Sequence, residues 1–449
     1  MKSIQGGNAV QSLRFASIVL LISFSESAFS GGFEKSSFWS GRFAGIGGAA
    51  SASADGADAL FFNPAGLSLG NKTELSINTS PTFSKFSGPV ATATPLESSM
   101  SIVPVYGLGA RYKVNDKFGI GFGAAIVAGA DVTYENVDFS KTTAVAGANA
   151  FDTLKPTLQA KLAVHEVGFG AGYEVLPGFR LGGSYRITIV RGALQSAALQ
   201  NEDISNPADP KPSALVAVNL ANLSAVSAKG YRLGAQFTDP TKKFGLGADF
   251  RSSVAFTANA TSSGTSELGT FYLPSSKPVT GGDVTVGNEL PLSVNLAGFV
   301  NFGSLTIFPG YTFTRYSADK NLDIAGSITL APDHGSLVVV LPSVAQNWKN
   351  QSNYRLGAEW EQNSTLRFRA GYVYTYEAVN PDYARETFSA PGRGKTYALG
   401  VGLGSTEGVQ IDATAEYNDA SGTGTSEFGQ VGTFTTKAYV GHLSARFRF

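Results

Sequence analysis

The chain contains no cysteine among its 449 residues. Disulfides, thiol nucleophiles and thiolate metal sites are therefore excluded together. Charge is scarce: Asp, Glu, Lys and Arg make up 15%, against roughly 25% in ordinary soluble domains. Acidic and basic residues balance at 34 each, which leaves no electrostatic footprint for nucleic acid. Histidine occurs only at His165, His334 and His442. No Gly-x-Ser-x-Gly elbow accompanies them, and His165–Glu166 lacks the second histidine of a zinc motif, so an enzyme is not expected. Neither is a metal or a cofactor. Past residue 30 there is no run of about 20 apolar residues, the length a helix needs to cross a bilayer. If the mature chain sits in a membrane, it does so as a closed barrel, the other fold that satisfies every backbone hydrogen bond in hydrocarbon.

The first thirty residues read as an export signal. Lys2 and Arg14 supply positive charge, Phe15 to Phe24 form an apolar run of about ten residues, and Ala28 and Ser30 stand at the −3 and −1 positions for cleavage before Gly31.

The remainder alternates apolar with polar or small residues. Phe179, Leu181, Gly183, Tyr185, Ile187 and Ile189 oppose Arg180, Gly182, Ser184, Arg186 and Thr188. Phe244, Leu246, Ala248 and Phe250 oppose Asp249 and Arg251; Tyr354, Leu356, Ala358 and Trp360 oppose Arg355 and Glu359. Leu366, Phe368, Ala370 and Tyr372 oppose Arg367 and Arg369. Successive side chains of a strand point to opposite faces, so each segment carries one apolar and one polar face. Aromatics gather at segment ends, where a membrane barrel carries its girdles, and mixed charges on the other face suit a wide lumen.

Fourteen strands are expected, near 74–83, 99–113, 117–130, 157–174, 178–192, 216–238, 242–260, 290–302, 304–316, 351–361, 364–377, 395–404, 407–418 and 437–449. Short turns alternate with long links, the latter at 131–156, 193–215, 261–289, 317–350, 378–394 and 419–436. Outer-membrane barrels show this rhythm, with short periplasmic turns and long outer loops. It puts both chain ends in the periplasm. The last segment ends on Phe449 in the outward register, which resembles the signal read by the barrel assembly machinery.

Residues 31–73 precede the first strand and are rich in Gly, Ala and Ser. Gly45 to Leu60 suit short helices, with Asp55 and Asp58 placed to cap or start the second. Asn63–Pro64–Ala65 reads as a compact turn. A barrel this wide cannot be filled by its own wall, so the segment is expected to plug it. The expected fold is all-β: a signal peptide over 1–30, a small N-terminal hatch over 31–73 and a 14-stranded antiparallel transmembrane β-barrel over 74–449.

The chain resembles the FadL/TodX (OmpP1/FadL) family of outer-membrane transporters for long-chain fatty acids and aromatic hydrocarbons. The resemblance rests on Gly32–Phe33, on Asn63–Pro64–Ala65, and on the stretch from Trp348 to Trp360 followed by Leu366 to Tyr372 and Pro381–Asp382. The terminal Phe449 agrees. It implies a monomer among outer-membrane lipid and lipopolysaccharide, in which a hydrophobic small molecule is caught in an outer groove and passes to an interior pocket. The molecule then leaves through a gap beside the third strand. Phe33 would touch interior ligand, and Asn63, Pro64 and Ala65 fall on the hatch motif. One departure stands out: Ala124 to Asp131 carry neither the Pro-Phe-Gly turn nor the Trp-x-Gly-Arg-Tyr segment of members near the fatty-acid transporter. Gly129 is the candidate kink there. Arg186, Arg251, Arg355, Arg367 and Arg369 are candidate lumen charges, either for a carboxylate head group or in a salt-bridge network. A general porin or adhesin-like barrel is the alternative reading.

Overall fold

The computed structural model describes residues 40–70, 72–140, 153–200, 214–268, 276–318, 320–329, 338–387, 389–405 and 408–449. The export signal, Phe33 and His334 lie outside the described residues. Fourteen antiparallel strands form one closed wall. They are β1 Glu74–Pro89, β2 Ser101–Asn115, β3 Phe118–Tyr134, β4 Leu158–Leu176 and β5 Phe179–Gln200. Next come β6 Ala214–Thr238, β7 in two pieces, Phe244–Arg251 and Val254–Leu268, and β8 likewise, Asp283–Leu290 and Ser293–Asn301. Then follow β9 Leu305–Thr314, β10 Gln351–Glu361, β11 Leu366–Thr375, β12 Arg393–Gly404, β13 Val409–Thr425 and β14 Val431–Arg448. The first strand closes on the last, from Glu74 opposite Arg448 to Ser87 opposite Thr435.

Alternation decides which way each side chain points. On β5, Leu181 and Tyr185 are exposed while Ser184, Arg186 and Thr188 are buried. On β14, Tyr439 and Leu443 face out while His442, Ser444 and Arg446 face in. Aromatic rings meet across neighbouring strands close to the short turns, as in Phe118–Tyr173, Phe237–Phe244 and Trp360–Phe368. A second set, including Tyr372–Tyr397 and Tyr417–Tyr439, lies farther up the wall. The two sets bound the outward apolar band.

Several hairpins outrun the expected strand ends. β5 and β6 reach Gln200 and Ala214 where alternation predicts a link over 193–215, and β13 and β14 fill most of 419–436. Beyond the membrane neither face meets lipid, so the backbone ladder continues while the apolar–polar contrast that marks a strand fades. Part of the link over 317–350 folds back on the barrel, with Ile324 opposite Val286 of β8.

Candidate transport path through the barrel

The hatch fills the lumen. A one-turn helix, Gly41–Gly45, is followed by two 3-10 turns, Ala57–Leu60 and Pro64–Ser68. Asn63 caps the last of these by accepting from the Ala65 N–H at 3.1 Å. Its Nδ2 donates to the carbonyls of Ser51 at 2.8 Å, Ala235 at 3.0 Å and Ala248 at 3.2 Å, tying the hatch to β6 and β7. The wall meets this turn with glycine because nothing larger fits: a Cβ on Gly234 would lie 1.9 Å from Asn63 Oδ1, and one on Gly182 would lie 2.3 Å from Ala65 N. The Asn-Pro-Ala run is thus a docking piece. Asn63→Ala leaves buried carbonyls unpaired, at a cost of about 1–3 kcal/mol. The expected outcome is a looser hatch, seen as raised baseline conductance and lowered uptake; wild-type values for both would reduce Asn63 to packing.

Asp58 stands in the first turn of Ala57–Leu60, but neither it nor Asp55 is the cap. Gly47, Gly48 and Gly56 adopt positive φ and break the segment into turns, and the cap position before Ala57 is Gly56. Asp55 instead takes Arg42 at 2.6 Å and Arg446 of β14 at 3.1 Å. Burial pushes its carboxyl up, but Arg42, Arg446, Arg448 and Arg111 outweigh it and hold the group well below the usual carboxylate range. Asp58 is fully buried, and burial raises it despite the pull of Arg446.

The five arginines singled out from sequence all point inward, but they come together in several places. Arg186 donates to Glu166 at 2.6 Å, and Arg232 donates to the same carboxylate at 3.1 Å and to the Leu60 carbonyl of the hatch at 3.0 Å. Arg369 bridges Glu359 and Asp412 at 2.5 and 2.7 Å, and Arg367 pairs with Glu361 at 3.0 Å. Arg355 donates to the hatch carbonyl of Gly47 at 2.7 Å, and Arg251 to Pro291 at 3.3 Å. Sequence reading missed Arg232, Glu166, Asp249, Asp412 and Arg446. Their inward register was legible, whereas their pairing across strands was not.

Three spaces mark a path. An outer groove of ≈ 560 Å³ runs between Leu194, Val218, Leu220, Leu322, Ile324 and Leu341, with the Arg385–Glu427 ion pair at its rim. Burial together with Glu427 raises the neighbouring Glu386 well above the usual carboxylate range. Below the groove lies an apolar cavity of ≈ 70 Å³ sharing Leu194 and Leu322 with it. A second interior cavity of ≈ 90 Å³ sits on the hatch, touching Phe61, Phe62, Ile126, Val127, Arg251 and Arg355. At the short-turn end, by contrast, a space of ≈ 220 Å³ is ringed by Arg42, Asp55, Glu74, Arg111, Arg367 and Arg369.

The wall opens beside the second interior cavity. β2 and β3 pair from the turn as far as Gly107 opposite Ala125, then part, and meet again only where Ser99 N–H donates to the Thr133 carbonyl at 2.8 Å. Through this stretch β3 stays on β4 and turns inward, so Ala125, Ile126 and Ala128 are buried. The register break against β4 falls between Ile126 and Ala128. Gly129 is therefore not the kink: it pairs in register with Ala163, and the extra residue is Val127. A bulge needs a spare residue between two ladder bonds, and no glycine is required for that.

Residues 21–449 match the family model described as outer membrane protein transport protein (OMPP1/FadL/TodX). The chain belongs to that family. No curated protein matches it at the sequence level. The barrel is similar to the crystal structure of the P. putida toluene transporter TodX, with a TM-score of 0.71 and 16% identity over 92% of this chain and 99% of that one. It is similar to a Pseudomonas aeruginosa FadL homologue at a TM-score of 0.69 and 16% identity, covering 94% and 100% of the two chains. The Ralstonia pickettii toluene transporter TbuX gives 0.64 and 19% over 92% and 99%. As a FadL/TodX-family protein the chain is an integral outer-membrane barrel that passes hydrophobic small molecules without catalysis. The hatch separates this FadL/TodX-family barrel from an open porin.

Proposed function

We propose that the barrel takes up small neutral hydrophobic molecules, of about the size of a single aromatic ring, and releases them sideways into the membrane between β2 and β3. The observation that carries this reading is the size and lining of the interior spaces. An apolar cavity of about 150 Å³ holds one benzene; the apolar cavity of ≈ 70 Å³ and the more polar one of ≈ 90 Å³ are each about half that, so a single ring needs a modest widening of the lining and a long acyl chain a far larger one. Arg186, Arg367 and Arg369 already answer to carboxylates, Arg355 to a hatch carbonyl and Arg251 to the wall carbonyl of Pro291, so an incoming carboxylate would have to displace them.

Binding is driven by roughly 25 cal/mol per Å² of apolar surface buried, so neighbouring ring compounds should compete. The downward route crosses the charged ring around Arg42, Asp55 and Arg369, which apolar cargo could pass only by stripping water from charges. The sideways route leaves the lower cavity at Ile126 and Val127, opposite its Arg251 and Arg355 side, and does not cross that ring. TodX and TbuX are described as toluene transporters, and CymD as a monoaromatic hydrocarbon channel. Asn63, Pro64 and Ala65 hold the hatch in this scheme, and Phe33 is the candidate interior contact. A monomer with both ends periplasmic, a lipopolysaccharide surround and assembly through the strand ending at Phe449 complete the proposal. Phe449 N–H donates to the Thr73 carbonyl at 3.0 Å, at the short-turn end. The experiment is uptake of labelled toluene and labelled oleate by a deletion strain with and without the protein. Faster toluene entry alone is expected. Acceleration of oleate alone would replace the ring with an acyl chain, and acceleration of neither would end the transport reading for both.

A further inference from the structure

The wall is broken a second time. β6 and β7 pair from the short turn up to Arg232 opposite Arg251, and again from Ser224 opposite Asn259 outward. Seven residues lie between those two pairs on each strand, and just outside the break the pairing slips between Ala221 and Ser224. Above the Tyr231–Ser252 contact, where the Ser252 N–H donates to the Tyr231 carbonyl at 3.0 Å, β6 keeps its ladder to β5, and Val254–Leu290 through Ala258–Val286 pair β7 with β8. Each strand is irregular at the lower edge. β6 has its register break against β5 between Arg186 and Thr188, and β7 is interrupted at Ser252–Ser253, where the Tyr231 N–H turns to the Ser252 hydroxyl at 2.9 Å. Gly230 closes that edge against Val254, whose Cγ2 would lie 3.0 Å from an added Cβ.

What lies on either side gives the break a meaning. On the inner side, Leu223 of β6 and Phe256 and Ala258 of β7 line the apolar cavity of ≈ 70 Å³. On the outer side Val226 is 69% exposed and pairs with Ile189 of β5, which continues the lipid-facing set of Leu181, Tyr185 and Ile187. The mouth therefore opens onto the outer part of the apolar band. Unpaired backbone at membrane depth survives only where protein covers it or it lines a cavity, and here a cavity stands behind it. The Tyr185 hydroxyl also donates to the Ala228 carbonyl, covering one acceptor that the broken ladder leaves over.

We infer that the β6–β7 break is a second lateral exit, gated by Phe256, which releases apolar cargo from the ≈ 70 Å³ cavity before it reaches the hatch. This rests on the sideways-release reading above. The β2–β3 gap meets the lower cavity at Ile126 and Val127 and reaches the upper one only at Ala130. The β6–β7 break serves the upper one.

The chain lacks cysteine, so introduced thiols are the only ones. In Val226→Cys/Thr257→Cys the two positions lie across the break in the register of its bounding pairs, and in Val105→Cys/Ala128→Cys two inward-facing positions lie on either side of the β2–β3 gap. Each pair is linked by a short reducible thiol reagent after folding is verified by heat-modifiable gel mobility. Linking the first pair should lower toluene uptake, linking both should abolish it, and reduction should restore it. Unchanged uptake with the first pair linked, alongside full loss with the second, would overturn the second exit and leave the first standing. Unchanged uptake with both linked would overturn sideways release altogether. A readout independent of transport uses Phe256→Cys and a membrane-partitioned thiol reagent. Labelling at a rate close to that of Val226→Cys is expected, with little from a water-soluble reagent. A Phe256→Cys thiol closed to the lipid-borne reagent would overturn the gate even if uptake were normal.

Discussion

Deleting residues 31–73 should raise single-channel ion conductance in planar bilayers by on the order of tenfold or more, while the barrel still assembles. A fourteen-stranded wall lies between eight strands, whose side chains fill their own interior, and the sixteen or more of an aqueous porin. The lumen is lined by polar groups such as Arg369, Asp412, Gln410 and Arg446, so water would enter once the plug is gone. Assembly should survive because wall closure runs through backbone pairs between β1 and β14 that do not involve the hatch. Lost hatch contacts, including Asp55 on Arg446 and the Ala57 N–H on Glu74, would be replaced by water. Conductance unchanged from the full-length protein would mean that the hatch does not close the pore.

The second large effect is expected at Glu166. Its carboxylate is fully buried and carries two guanidiniums, Arg186 at 2.6 Å and Arg232 at 3.1 Å. Removing one member of a buried ionic group strands the others, at about 3–5 kcal/mol. Glu166→Ala should therefore lower the urea midpoint of the folded barrel markedly and loosen the hatch through Arg232, which also holds the Leu60 carbonyl. Glu166→Gln with Arg186→Met removes one cation with the anion and should recover part of the loss, because a well-packed apolar replacement need not cost stability. A Glu166→Ala protein as stable as wild type would show that lumen water already screens the group.

The sequence by itself determined the wall. Period-two alternation is a local property: Leu181 and Tyr185 face lipid because Arg180, Ser184 and Arg186 cannot, and that contrast is printed in the order of residues. It was enough for fourteen strands, for the rhythm of short and long connections, and for the inward aim of all five arginines. Asn63–Pro64–Ala65 was legible as a turn for the same reason, since Pro and Asn shape their own backbone. The tertiary structure alone decided which charges pair, where the hatch docks and where the wall opens. Arg232 finds Glu166, and Asn63 finds Ala235 and Ala248, across separations no local pattern reports. Gly129 was the visible weak spot in β3, yet the bulge fell on Val127. A break in pairing belongs to two strands at once, and each of those strands, read singly, still alternates.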